Sequence, residues 1–322
     1  MDPTIHLGQH PVAEGYRLFA EREAHWVSAV YADWALQVAR DEPVLRLLAT
    51  LPPGKRQPNL AFAAVRWHGA TDDYGSVRHL LLHRWDEVSA TIRARATQTN
   101  EAARCAVLLP FLAELPQPLA LLEVGASAGL CLLPDRYSYR YDDGTELDPP
   151  TGPSAVVFHC ALEGITPPAR LPEVVWRAGI DLAPVDVTDD DASAWLETLV
   201  WPGQEERRRR LRTALGIARR DPPRVVAGDL LKELPGLARE APPHATLVVF
   251  HTAVLAYLSE PDRTAFVDLV SQLPGHWVSN EGRSVLPAPG IDREVSDGRF
   301  VLMVDGRPRA LTGPHGQSVA AL

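Results

Sequence analysis

The sequence predicts an α/β protein: an open, doubly wound sheet preceded by an all-helical region. Three observations carry that expectation. Over roughly the first 115 residues, apolar positions recur at three- and four-residue steps and no strand-like run occurs. After Pro118 the texture changes to short, continuous apolar runs at wide intervals with helical stretches between them, the pattern of buried parallel strands. The first of those runs leads straight into a glycine turn, LALLEVGASAGL at residues 119–130, and a strand feeding such a turn forms a ligand-binding corner.

Residues 14–50 read as helix, with Tyr16, Phe19, Trp26, Val30, Trp34 and Val38 as its apolar stripe, until Pro52, Pro53 and Gly54 end the pattern. A second helical stretch covers 59–67, HGATDDYGS reads as a loop, and residues 77–114 read as one or two long helices stopped by Pro116 and Pro118. The strands expected next are LALLEV, EVVWRAGI, RVVAG, ATLVVFHT and HWVSN, with helices over 192–199, 204–219 and 260–273. FVLMVDG and RPRALTG flank an Asp-Gly turn, a hairpin signature. Residues 134–172 interrupt the alternation. Tyr137, Tyr139 and Tyr141 alternate there with polar residues, so a strand is expected with AVVFHCAL as a candidate partner, serving either as packing or as a substrate-contacting lid. The expected division is a helical N-terminal domain over 1–115 and an α/β domain over 116–322, with the insertion at about 134–172.

Composition excludes some classes of function. The chain has 322 residues, 46% hydrophobic and 23% charged, with a formal net charge of -9, which argues against a general nucleic-acid binder. Cys105, Cys131 and Cys160 are odd in number and widely spaced, giving neither a disulfide framework nor zinc spacing; buried thiols in a reducing cytoplasm are expected. MDPTIHLGQHP has no basic segment followed by an apolar core, so no signal peptide is read, and the apolar run at 245–258 is too short to span a bilayer. The basic run Arg207–Arg210 follows Glu205 and Glu206 at i,i+4 spacing and reads as a solvated helix face. His79 and His83 lack a third ligand, so no metal is expected.

The glycine turn admits two chemistries. Gly-x-Ser-x-Gly spells the nucleophile elbow of a serine hydrolase, with Ser127 as nucleophile and Asp262 with His276 or His315 as nominal partners. That reading lacks a preceding oxyanion segment and leaves Glu123 without a role. Read instead from Glu123, two residues before Gly125, the motif has an acid near the end of its first strand, as a nucleoside-binding methyltransferase requires. Gly125 and Gly129 then allow close backbone approach, and Ser127 replaces a middle glycine as a small residue and helix N-cap. A second acid, Asp181 in GIDLAP, is expected to take ribose hydroxyls, although it lies far beyond the usual ~20-residue spacing. A third, Asp229 in VAGD, is placed for the adenine amine. The alternative for Asp181 and Asp229 is plain helix capping.

RATQTNEAARC (95–105), LLEVGASAGLCLLPDRYSYRY (121–141), GIDLAPVDVTD (179–189), WLETLVWPGQEERRRRL (195–211), VAGD (226–229) and VVFHTAVLAYL (248–258) resemble, in order, a bacterial family known as domain-of-unknown-function family 2332. The resemblance implies a class I methyltransferase-like, Rossmann-like sheet and names no activity. With S-adenosylmethionine as the expected cofactor, the acceptor is a small molecule or a protein. His251, at the end of the fourth strand, is the candidate general base and Glu281, ending the fifth, a second catalytic candidate. Asn280 and Tyr257 are candidates for substrate contact. So are Asn100 and Arg104, stepped back by four from Leu108 along a buried helix face. The competing readings are a core histidine for His251, a loop cap for Glu281, packing for Tyr257 and a local Glu101–Arg104 pair. A nucleoside-binding module without methyl transfer is the remaining alternative.

Overall fold

A computed structural model describes residues 11–295 and 297–322. The N-terminal stretch read as lacking a signal peptide lies almost wholly outside them. The described chain is mixed α/β, with eleven α-helices and one 11-stranded sheet, and it divides into two compact units. Among the described residues no helix is long and apolar enough to cross a membrane.

The first unit comprises the described residues up to Thr99 together with Asp191–Arg209. It contains α1 (Pro11–Phe19), α2 (Ala29–Val38), α3 (Glu42–Ala49), α4 (Pro58–Trp67), α5 (Tyr74–His83) and α6 (Trp85–Ala94). α2, α3 and α5 start where Ser28, Asp41 and Asp73 accept a backbone N–H of the first turn. The single helix expected over 14–50 is three helices. A π-helical turn at Ala20–Ala24 and the break at 25–28 shift the apolar register, so Trp26 stands 86% exposed while Tyr16, Phe19, Tyr31, Trp34 and Phe62 form an aromatic core. The returning segment, α8 (Asp190–Leu199) and the start of α9 (Glu205–Ala218), belongs to this core. Trp195 packs edge-on to Trp67 and donates its indole N–H to Ala96 O, and Arg95 lies over both rings. On α9, Arg208 and Arg209 pair with Glu205 and Glu206 at i,i+3.

The second unit holds the sheet, in the order β3-β2-β4-β11-β10-β9-β8-β7-β1-β5-β6. Its heart is five parallel strands, β6 (Arg224–Ala227), β5 (Val174–Asp181), β1 (Leu119–Val124), β7 (Thr246–Thr252) and β8 (His276–Gly282), arising from the five apolar runs of the sequence. α10 (Leu230–Ala238) connects β6 to β7 and α11 (Glu260–Ser271) connects β7 to β8, covering one face through Leu234, Leu237, Phe266 and Val270. β9 (Phe300–Val304) and β10 (Arg307–Thr312) form the expected hairpin, and Asp305 and Gly306 both adopt positive φ in its turn.

The segment between β1 and β5 departs most from expectation. No α-helix follows the glycine turn: short 3-10 turns at Leu130–Leu132 and Pro134–Arg136 lead into β2 (Ser138–Tyr141), β3 (Glu146–Leu147) and β4 (Val157–Glu163). β2 pairs with β4, as AVVFHCAL suggested, and β4 joins the main sheet through β11 (Ser318–Ala321). Tyr137, Tyr139 and Tyr141 are buried, and their hydroxyls donate to the carbonyls of Leu130, Pro134 and Ala106. These tyrosines are packing elements, not a lid. The helix expected up to residue 114 also breaks: residues 95–101 are non-helical, and α7 (Cys105–Glu114) starts after a 3-10 turn at Ala102–Arg104.

Candidate functional site

The register of the parallel strands gathers the predicted residues at one edge. Glu123 pairs with Phe250, Asp181 with Ala227, His251 with Ser279 and Thr252 with Asn280, all at the C-terminal ends of their strands. In open α/β sheets this is the ligand-binding edge.

Gly125, Ser127 and Gly129 adopt φ of 71°, 50° and 66°, so Ser127 stands in a conformation that favours glycine. A Cβ on Gly125 would collide with the Val254 side chain, which ties the turn to the loop after β7. The five amides of the turn are all engaged within the protein. Those of Gly125 and Ala126 donate to Ile180 O, that of Ser127 to Asp181 Oδ2 (2.8 Å), that of Ala128 to Asn100 Oδ1 (3.0 Å) and that of Gly129 to Ala126 O. Asn100 Nδ2 also donates to Ser127 Oγ (2.9 Å), so Asn100 holds the turn from both sides. It does so from the non-helical segment, not from the buried helix face read in the sequence. Ser127 is no helix N-cap either, because no α-helix follows it.

Glu123 is buried on the sheet face opposite the α10–α11 core, and its Oε2 has no hydrogen-bond partner. Burial, then the neighbouring Cys131 and Asp181, hold its carboxyl well above the usual carboxylate range, while Arg104 pulls it down. Asp181 uses one oxygen on Ser127 N and the other on Ala183 N, leaving further lone pairs on a half-buried carboxylate. Asp229 caps α10 through Leu231 N. Arg104 is buried, donating from Nε to Pro314 O and from Nη1 to the carbonyl and hydroxyl oxygens of Thr252 at the end of β7. It therefore ties together two elements of the same edge.

His251 is a correction. Its ring is fully buried between Phe266 and Trp277. Trp277 Nε1 can only donate, and it lies 3.0 Å from His251 Nε2, so that nitrogen is the acceptor and Nδ1 carries the proton. Nδ1 donates to Glu281 Oε1 at 2.7 Å. Both ring nitrogens are consumed, and none remains for a substrate proton. Glu281 Oε1 also accepts from Val254 N (2.8 Å) and Leu255 N (3.1 Å), so Glu281 caps the loop after β7, whose Ala253 adopts a positive φ of 56°. The two catalytic candidates are thus a buried clamp on the loop that packs against Gly125. Asn280 is fully buried, with Oδ1 accepting from Thr312 Oγ1 and Nδ2 without a hydrogen-bond partner. Tyr257, in a 3-10 turn on that loop, is 86% exposed and packs on nothing large.

Sequence reasoning missed Trp277 as the partner that fixes His251, and it missed the pairing of His315 with Glu101. The available signal for His315 was the GPHG segment, a histidine between two glycines. His79 and His83 stack on each other, and among the described residues no group of three His, Cys, Asp or Glu is placed to hold a metal ion.

Strand order and edge define a mixed α/β protein with a glycine turn at the C-terminal strand edge and a buried acid beside it. The chain belongs to the DUF2332 family, described as an uncharacterized protein conserved in bacteria, whose model matches residues 13–320. No curated protein matches it.

Proposed function

We propose that this chain binds S-adenosylmethionine at the C-terminal edge of β1 and β5 and transfers its methyl group to a small-molecule or protein acceptor. The observation that carries the reading is Glu123: a buried carboxylate with an orphaned oxygen, one residue from the glycine turn, requires a partner, and an ammonium group supplies one. The parallel order β6-β5-β1-β7-β8 matches that of a class I methyltransferase sheet and supports the same reading. Asp181 keeps lone pairs for ribose hydroxyls. Asp229 caps α10 through Oδ1, and its Oδ2 lies 3.9 Å from the exposed Lys232 ammonium, a loose pair that a ribose or adenine group could displace.

The hydrogen bonding of the turn argues against its rivals. A phosphate cradle needs free amides, and these five are engaged. A serine hydrolase needs the amide after its nucleophile for the oxyanion, and Ala128 N is held by Asn100.

The bound cofactor would supply an electrophilic methyl group. The protein's own contribution is alignment and exclusion of water: Glu123 anchors, the positive-φ turn admits close backbone approach, and the Glu281–His251 clamp fixes the loop beside it. His251 takes no proton in this scheme. Equilibrium dialysis with labelled S-adenosylmethionine tests the reading. Glu123→Gln should weaken binding by roughly 10- to 100-fold, the loss of a charge-assisted hydrogen bond. Equal affinity in the variant would remove Glu123 from the site, and labelling of Ser127 by a fluorophosphonate would restore the hydrolase.

A further inference from the structure

With both nitrogens of His251 consumed, the strand edge has another imidazole. β10 and β11 are joined by a loop, Gly313–Gln317, at the same edge: Gly282 at the end of β8 pairs with Phe300, and Phe300 pairs with Thr312 just before the loop. The loop is tightly built. Gly313 N donates to Ser318 O, Gly316 N to Gly313 O, and His315 N to Gln317 Oε1. Arg104 donates to Pro314 O and, with the same guanidinium, to Thr252 at the end of β7. Gly316, at φ 78°, lies so close to the Ala103 carbonyl that any Cβ would collide with it. His315 is therefore set against the Glu101–Arg104 segment, whose neighbour Asn100 holds the glycine turn.

His315 Nδ1 points inward, 3.4 Å from Glu101 Oε2, within ion-pair reach although no hydrogen bond joins the two atoms. That carboxylate is only 4% exposed, whereas the His315 side chain is 42% exposed. A carboxylate facing Nδ1 favours the proton there and leaves Nε2 as the lone-pair nitrogen. This is the arrangement of an acid-oriented base with an open outer face.

We infer that His315 is the proton acceptor of the strand-edge site and Glu101 its positioning residue, serving an acceptor whose nucleophile carries an O–H or N–H. The step rests on the cofactor reading above. The nucleophile's bond to hydrogen breaks and the proton goes to Nε2 of His315. The nucleophile's electron pair forms the bond to the methyl carbon, and the carbon–sulfur pair stays with sulfur, which passes from sulfonium to neutral thioether. His315 returns the proton to solvent.

The test uses the full chain, labelled with 15N-histidine, and S-adenosylhomocysteine as the probe. Nitrogen NMR should find the His315 proton on Nδ1, and Glu101→Gln should shift it toward a mixture of tautomers while retaining affinity for the probe. Carbethoxylation by diethyl pyrocarbonate, mapped by mass spectrometry, should label His315 and leave His251 unlabelled; saturating probe should abolish the His315 label. Binding of the probe without protection of His315 overturns the step and leaves the cofactor reading standing. Failure of the probe to bind wild-type protein overturns both. A proton on Nε2, or a tautomer unmoved by Glu101→Gln, overturns the pairing itself.

Discussion

Glu281→Ala separates a clamp from a catalyst. Glu281 Oε1 accepts from His251 Nδ1, Val254 N and Leu255 N, all three buried or half-buried. Removing the carboxylate strands these donors, each at about 1–3 kcal/mol. Water entering the vacated space recovers part, so the net loss is about 3–5 kcal/mol, typical of a broken buried pair. At about 1.4 kcal/mol per decade, the loop would open roughly 10²- to 4 × 10³-fold more often. Hydrogen exchange reads this directly at the amides of Val254 and Leu255, which lose their acceptor, against the amides of β1, which do not. His251→Ala removes one of the three donors and leaves Trp277 Nε1 without its acceptor, costing about 2–3 kcal/mol. The double variant should cost less than the sum, because both changes break one network. Wild-type exchange rates at Val254 and Leu255 in Glu281→Ala would refute the clamp.

Other outcomes follow from the same geometry. Ser127→Gly should be within about 1 kcal/mol of wild type, since relief at φ 50° offsets the lost Asn100 bond, whereas Ser127→Ala keeps the strain and should lose about 1 kcal/mol; urea midpoints decide between them. Gly125→Ala combines a positive φ with a collision against Val254 and should cost at least about 2 kcal/mol in the same assay. Glu123 gives a pH signature. Its folded pKa lies well above 4.5, so above that pH the unfolded chain releases a proton the folded one retains, and stability falls as pH rises through the folded value. Glu123→Gln should flatten that slope, and an unchanged slope would assign it elsewhere. The three cysteines are buried, and burial raises the Cys160 thiol to about 12, so a thiol reagent should react with none of them until the chain is denatured.

The central parallel strands β1 and β7 were legible because they are buried on both faces and read as unbroken apolar runs, as VVF in β7 does. The β9–β10 hairpin was legible from Asp305-Gly306. The buried pairing of β2 with β4 was legible from the tyrosine alternation, because a period of two survives any tertiary context. The break after Gly129 was not. LCLLPDRY carries no capping residue or helical stripe to announce a helix or its absence, and only the motif suggested one. α10 escaped notice because Pro235 and Gly236 lie inside it. Within the candidate site, the placement of Glu123, Asp181 and Asp229 at or just past strand ends was readable from the apolar runs that precede them. The role of His251 was not, since it depends on Trp277 and Glu281 across a neighbouring strand, and pairing of that kind leaves no local spacing. The same holds for His315 and Glu101, brought together only where the β10–β11 loop packs against residues 101–104.

The central claim is that the orphaned carboxylate of Glu123 is the anchor for a cationic cofactor. Calorimetric titration of S-adenosylmethionine in phosphate and in Tris tests it most directly. Burial holds the Glu123 carboxyl above the usual carboxylate range and a paired ammonium would draw it back down, so at a pH between the two values binding releases a proton, and the account predicts an enthalpy there that differs between the two buffers, with that difference abolished by Glu123→Gln. No binding at millimolar ligand, or an enthalpy independent of buffer in the wild-type protein, would contradict it.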